Sequence, residues 1–303
     1  MPKLDALPQE SDAARMRPLL EAVDDIPSIP ETLLRILKVI DDPKSGAGAL
    51  AEVIAVDAPL SAKILRLANS PFYRCGSELA DIKSCVAVLG FKAVRQVAVC
   101  VSIATSLLAA CNRRRGRLDY RELWRHSVVA GAVARQLGIM AGEPELEEIF
   151  TAGLLHDLGK FVIVLHAPAT YDRIIELRGR SRLPLVEVEQ DMLGYDHTLA
   201  GEAFGSAWRF PRTLTDSARR HHDRWRAVPD PDRATRLAAL VSLADAYAHT
   251  LQAPRSDLGH EAGFVRSGPL LRITGLTAEN IQERLPELEN GIERAMAFVD
   301  LAS

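Results

Sequence analysis

A histidine and an aspartate stand side by side, His156 and Asp157, in the run Thr151-Ala-Gly-Leu-Leu-His-Asp-Leu-Gly-Lys160, whose other members are mostly apolar. A carboxylate buried without a partner is strongly destabilising, so a segment that hides Leu154, Leu155, Leu158 and Phe161 must supply Asp157 with a cation. Asp245 raises the same demand, being the only charge in Leu237-Ala-Ala-Leu-Val-Ser-Leu-Ala-Asp-Ala-Tyr-Ala248. His126 falls on the face shared by Leu123, Ala130, Val133 and Leu137. His197 follows Asp196, a predicted N-cap, and shares a face with Ala200, Phe204 and Trp208; His221 and His222 are adjacent on a predicted helix.

Imidazole nitrogen and carboxylate oxygen together suit a divalent transition ion such as Fe, Mn, Zn or Ni, whereas Mg or Ca would take mostly oxygen. A set of this size could hold one or two ions. Two ions bridged by a carboxylate can clamp a phosphate and activate water, so the reaction class that follows is phosphoester hydrolysis, with Asp157 as its central carboxylate. Lys160, three residues after Asp157 and four after His156, could neutralise a phosphate oxygen as a second catalytic candidate; a solvated helix-end lysine is the alternative. A lone histidine on an apolar stripe is more often a satisfied core residue than a ligand. Here the whole series argues for a ligand set.

The elements that must carry these residues read as helices throughout. Apolar residues recur at spacings of three and four, aromatic residues make up only 5% of the chain, and no run alternates as a strand would. Ser28-Ile29-Pro30-Glu31 has the form of a capping box and starts a helix along Leu33, Ile36, Leu37 and Ile40. Helices are predicted over 47–56, 60–69, 84–110, 119–138 with Gly138 as the stop, 145–165, 170–178, 184–193, 197–208, 213–224 and 233–250. A last segment, 277–301, is expected to break at Pro286. The reading is all-α: a flexible tail at 1–18, an N-terminal helical subdomain at 19–112, an arginine-rich loop, a metal-binding helical subdomain at 119–250, and C-terminal loop and helices at 251–303.

With 303 residues, 48% of them hydrophobic, the chain can bury one large core or two smaller ones. A net charge of -3 argues against a broadly basic nucleic-acid surface. Cys75, Cys85, Cys100 and Cys111 form no CxxC pair, which fits reduced, buried thiols and a cytoplasmic protein. The acidic, proline-containing N-terminus does not resemble an export signal. The apolar run Val97 to Cys111 is shorter than the ~20 residues of a membrane span. Ser84 to Ala98 has the look of a helix-turn-helix, but its would-be recognition helix offers only Lys92, Arg95 and Gln96, so DNA binding is not expected. Arg113, Arg114, Arg115 and Arg117 read as a solvated loop, and Arg219, Arg220 and Arg224 as helix-surface charge beside the double histidine.

The ordered series His126, His156-Asp157, His197, His221-His222, Asp245 resembles the HD metal-dependent phosphohydrolase superfamily, nearest in layout to its HD-GYP branch. The Gly-Tyr-Pro signature of that branch does not follow the double histidine, where the chain runs His221-His222-Asp223-Arg224-Trp225-Arg226. Ile26-Pro-Ser-Ile-Pro30, Leu60-Ser-Ala-Lys-Ile-Leu-Arg-Leu-Ala-Asn-Ser70, Ala87-Val-Leu-Gly90, Trp124-Arg-His126, Gly153-Leu-Leu-His-Asp157 and Trp208-Arg-Phe-Pro211 resemble the HDOD family, the HD-related output domain of bacterial signalling proteins. The likeness covers residues 20 to 250; Asp57-Ala58-Pro59 departs from it where the family places Pro directly after Asp. The resemblance implies a helical, stand-alone regulator that binds signalling proteins such as kinases, response regulators or cyclic-dinucleotide enzymes. Family members often lack several HD ligands, whereas this chain keeps the series. It also leaves room for a phosphate-containing small ligand, and for an active nucleotide or cyclic-dinucleotide phosphodiesterase as the alternative.

Overall fold

The computed structural model describes residues 19, 22, 28–42, 44–73, 76, 78–113, 119–181, 183–226, 228–252 and 268–302. The expected tail at 1–18, most of the arginine-rich loop, Cys75 and residues 253–267 lie outside them. Among the described residues fifteen α-helices with stated bounds follow in order: α1 Glu31–Asp41, α2 Ala47–Ala55, α3 Ala58–Ala68, α4 Ile82–Asn112, α5 Tyr120–Met140, α6 Leu146–Leu155, α7 Leu158–His166, α8 Pro168–Ser181, α9 Leu185–Leu193, α10 His197–Ala207, α11 Arg212–Arg220, α12 Arg233–Gln252, α13 Gly268–Thr274, α14 Ala278–Glu283 and α15 Leu285–Ala295; a 3₁₀ segment, Met296–Ala302, comes last. No strand occurs among the described residues.

Several helix starts carry side-chain caps, Asp196 among them as the sequence predicts. Asp119 accepts from the Arg121 and Glu122 amides, Asp196 from those of Thr198 and Leu199, and Asp57 from that of Leu60, with Pro59 in the first turn of α3. The capping box at Ser28 does not form: Pro30 is the N-cap of α1 and no side chain caps it. Gly138 does not stop α5 either. The helix runs on to Met140, and Gly142, at φ +71°, closes it with bonds from Gly142 N to Ile139 O and Glu143 N to Gly138 O. Pro286 stands in the first turn of α15 and so begins a helix; the break falls one step earlier, at Arg284.

Two differences concern the site directly. The single helix expected over 145–165 is two, α6 and α7, interrupted at His156 and Asp157. The helix expected to reach 224 ends at Arg220, which puts the double histidine in the turn after it.

Helix crossings without side chains between them set the frame. Gly131 on α5 and Gly153 on α6 face each other, and a methyl on Gly153 would lie 2.8 Å from Gly131 Cα. Gly159, in the first turn of α7, meets the start of α10: a methyl there would fall on the His197 carbonyl oxygen and 2.6 Å from Gly201 N. Helix α12 packs on α5 and α11, while α1, α2 and α3 pack on α4. The C-terminal elements lie along α5, where Trp124 Nε1 donates to Phe298 O at 2.9 Å and the Phe298 ring packs edge-on against Phe72 and tilted against Phe150.

Two segments have the length and apolarity of a membrane span, 82–112 and 146–166, yet 61% and 94% of their apolar windows are buried inside the protein. Their apolar surface is spent on the core. The helix-turn-helix candidate is one long helix kinked at Gly90 (φ 85°), with Lys92 paired to Glu145 at 2.6 Å and Gln96 buried. Cys85, Cys100 and Cys111 are buried, as the sequence suggests.

Because backbone atoms cannot yield as a side chain does, Gly159→Ala is expected to destabilise the fold by about 1–3 kcal/mol. Gly179→Ala, in exposed α8 with nothing near its Cα, should stabilise it by about 0.5–1 kcal/mol. Denaturant melts of the two variants test both signs.

Candidate metal centre

The break between α6 and α7 gives His156 and Asp157 their positions. His156 is the C-cap of α6 and Asp157 precedes α7, so both side chains leave the helix cylinder and enter the space between α5, α10, α11 and α12. Helix α5 contributes His126 from its buried stripe, α10 contributes His197 from its first position, the turn after α11 contributes His221 and His222, and α12 contributes Asp245. Six of these seven are no more than 6% exposed; His222 is half-buried. All seven residues expected from the sequence meet in one place.

Three imidazoles are fixed by the same logic. His156 Nδ1 donates to the Gly153 carbonyl at 2.6 Å and His221 Nδ1 to the Ala218 carbonyl at 2.7 Å, each reaching back three residues at a helix end. His197 Nδ1 donates to Glu189 Oε2 at 2.6 Å, and the same oxygen accepts from the His197 amide at 2.9 Å. A carbonyl oxygen can only accept, so the proton of each neutral ring sits on Nδ1 and Nε2 keeps its lone pair. All three Nε2 atoms face inward.

Donors held about 2.1 Å from one ion at tetrahedral or octahedral angles stand roughly 3.0–3.4 Å from one another. His126 Nε2 lies 3.0 Å and His156 Nε2 3.4 Å from Asp245 Oδ1, and His156 Nε2 lies 3.4 Å from Asp157 Oδ2. On the other side of the same carboxylate, His197 Nε2 is 3.5 Å and His221 Nε2 3.6 Å from Asp157 Oδ1, and the two nitrogens are 3.4 Å apart. Buried His156 Nε2 and Asp157 Oδ1 make no hydrogen bond. Facing lone pairs and unsatisfied anionic oxygen in a buried space fit a divalent cation better than any arrangement of hydrogen bonds. His126, His156 and Asp157 form one group of donors close enough to share an ion, and His197, His221 and His222 form another.

Lys160 is neither solvated nor free. It is buried, with Nζ 2.5 Å from Asp157 Oδ2. Burial opposes its charge, but Asp157 and Asp245 outweigh that and raise the ammonium above its usual range. For Asp157 the balance runs the other way round: burial pushes the carboxyl up, and the His156 and Lys160 charges hold it well below the ordinary carboxylate range. Burial lowers His221, and lowers His222 further with the help of the His221 and His197 charges, leaving both neutral near pH 7. His156 is the exception, because Asp157 overrides burial and raises it; a cation bound there displaces a proton.

Two residues of the centre have no place in the sequence reading. His249 stacks on His126 with ring centroids 4.3 Å apart and sets Nε2 3.3 Å from Asp245 Oδ1. Its signal was present, since it lies four residues beyond Asp245 on one helix face. Glu189 is fully buried on α9, and only the tertiary contact with His197 reveals it. Arg219 and Arg220 are occupied by neighbours, Arg219 by Thr198 and Glu202, Arg220 by Asp223 and the Trp225 ring.

The family model described as HDOD domain matches residues 26–224. A curated protein of Treponema pallidum (strain Nichols) is 24% identical over 206 residues, 68% of this chain but 39% of its own length; the chain thus spans about two fifths of that relative. Among solved structures, an HDOD domain protein from Geobacter sulfurreducens superposes with TM-score 0.75 at 22% identity, covering 95% of this chain and 99% of its own. A candidate phosphohydrolase from Shewanella amazonensis SB2B does so with TM-score 0.72 at 22% identity over 94% and 98%. Both share the fold.

Glu189→Gln keeps the shape and an acceptor oxygen beside His197 but removes the charge that orients and polarises the ring. Metal affinity, measured by competition with a chromophoric chelator, should fall by about 10–100-fold while the far-UV circular dichroism spectrum stays unchanged.

Proposed function

Because this chain belongs to the HDOD domain family, we propose that it is a bacterial signal-transduction regulator whose centre holds one or two divalent transition ions. It acts in the cytoplasm by binding other signalling proteins such as kinases, response regulators or cyclic-dinucleotide enzymes. Closure of the centre carries this reading. His156, Asp157 and His197 are fully buried, His126, His221 and Asp245 nearly so, and Lys160 is tied to Asp157 and not presented to an incoming phosphoester. A site that turns over phosphoesters must admit them, whereas a structural or sensing ion is best held in such a closed shell. The helices α1 to α4 favour the same conclusion: they form a second packed unit against the ligand-bearing helices, which metal-dependent hydrolysis does not require.

In this role His126, His156, Asp157 and Asp245 hold one position, and His197, His221 and His222 hold a second across Asp157. Glu189 and the Gly153 and Ala218 carbonyls fix the rings. A bound ion would supply Lewis acidity toward a phosphoryl oxygen or a water molecule.

One observation favours a second reading, an active metal-dependent phosphohydrolase. Asp157 turns one oxygen to each group of imidazoles, as a carboxylate bridging two ions would, and half-buried His222 marks a side from which a substrate could approach. Elemental analysis of protein purified without chelators, joined to a screen of nucleotides and phosphoesters, separates the two. At least one equivalent of Fe, Mn, Zn or Ni is expected per chain, lost in Asp157→Ala, with no turnover. Hydrolysis abolished by Asp157→Ala would establish the enzyme instead. Well under one ion per chain, with no uptake of added Mn or Fe, would remove both readings.

A further inference from the structure

The metal centre leaves unexplained the motif Trp208-Arg-Phe-Pro211, which joins α10 to α11. Its backbone is a helix-ending turn in which Arg209 N bonds to Ser206 O at 3.1 Å and Phe210 N to Gly205 O at 2.8 Å. The residue after the C-cap in such a turn is left-handed and is usually glycine, because a Cβ is strained there. Here it is Arg209, at φ +56°. The chain keeps a long cationic side chain where the backbone would prefer none.

That side chain lines a cavity of about 250 Å³ between the turn, α1 and α4. Arg95 and Gln96 of α4 line it as well, and Leu37, Val99, Phe210 and Leu214 supply apolar wall. No acidic residue lines the cavity, and neither guanidinium makes an ion pair or hydrogen bond among the described residues; Arg95 acts on Glu145 only at longer range. Gln96 is 6% exposed, and its amide has no hydrogen-bond partner. Arg209 is exposed and Arg95 half-buried, so both charges are solvated, and together with the unpartnered Gln96 amide they line one small space whose chemistry suits an anion with donors and acceptors of its own. The nine-residue helix α11 begins at the cavity wall beside Pro211, adding the positive end of its dipole.

We infer that this cavity is a binding site for a nucleoside monophosphate. Two arginines match the geometry of a phosphoryl group. The Gln96 amide offers one donor edge and one acceptor edge, as a nucleobase edge requires. Phe210 and the aliphatic residues receive the ring. The volume lies below the ~300–1,000 Å³ of sites for drug-sized ligands, which limits the occupant to about a single nucleoside with one phosphoryl group. The site is separate from the metal centre: His197 begins α10 and His221 follows α11, so both lie at the opposite end of this helical hairpin, roughly 16 Å away for a helix of this length.

Isothermal titration of the full chain with AMP and CMP, with adenosine and inorganic phosphate as partial probes, tests the assignment. At least one of the nucleotides is expected to bind with Kd of about 1 mM or tighter, and each partial probe about tenfold more weakly or worse. Arg95→Gln should weaken nucleotide binding about tenfold or more. Arg209→Gly should do the same while raising the melting temperature, since glycine relieves the turn; loss of binding there cannot be laid to misfolding. Protein treated with EDTA should bind as well as untreated protein. The inference is overturned if neither nucleotide binds, if the arginine variants bind as the wild type does, or if EDTA removes the binding.

Discussion

Three histidines whose Nδ1 protons are committed to hydrogen bonds are the constraint on which the rest of this protein turns. His156 and His221 donate theirs to backbone carbonyls and His197 donates to Glu189, so three Nε2 lone pairs converge with two carboxylates in a buried space. His197 Nε2 and His221 Nε2 stand 3.4 Å apart with no proton to share when both rings are neutral. Such an arrangement repels itself unless positive charge lies between its members. Lys160 supplies part of that charge to Asp157, and His156 can hold a proton, but the geometry as a whole suits a metal cation.

Holding that arrangement requires helices closer than ordinary side chains allow. Glycine at 131 and 153 lets α5 and α6 touch backbone to backbone, which brings His126 toward His156; glycine at 159 and 201 does the same for α7 and α10, which brings Asp157 toward His197. The Gly159 of the HDLGK motif is therefore part of the ligand geometry without contributing an atom to it. The break between α6 and α7 belongs to the same design. An unbroken helix would place His156 and Asp157 about 100° apart on its surface, whereas the turn lets both enter the centre.

The two halves of the chain meet around elements that carry these ligands. Helix α4 packs on α6 and α7, and the loop joining α10 to α11 faces α4 across the cavity lined by Gln96 and Arg209. The α10–α11 hairpin thus has imidazoles at one end and the Arg209 guanidinium at the other.

Helical periodicity, the helix start at Asp119, the cap at Asp196, and seven of the polar residues of the centre were legible in the sequence, because each shows itself locally: as a period, as a capping residue, or as a charge stranded in an apolar run. What was not legible depended on neighbours distant in the chain. The capping box at Ser28 and the stop at Gly138 satisfied local rules and did not form, since backbone context decided otherwise. His249 could have been found from its spacing to Asp245, but Glu189 could not, because its carboxylate has meaning only where α9 meets α10. The fate of Lys160 likewise required knowing that Asp157 lies 2.5 Å away in a buried space. The sequence by itself determined which side chains must be satisfied out of water. Tertiary structure alone decided which partner satisfies each of them, because electrostatic satisfaction is a matter of distances between helices that no single helix contains.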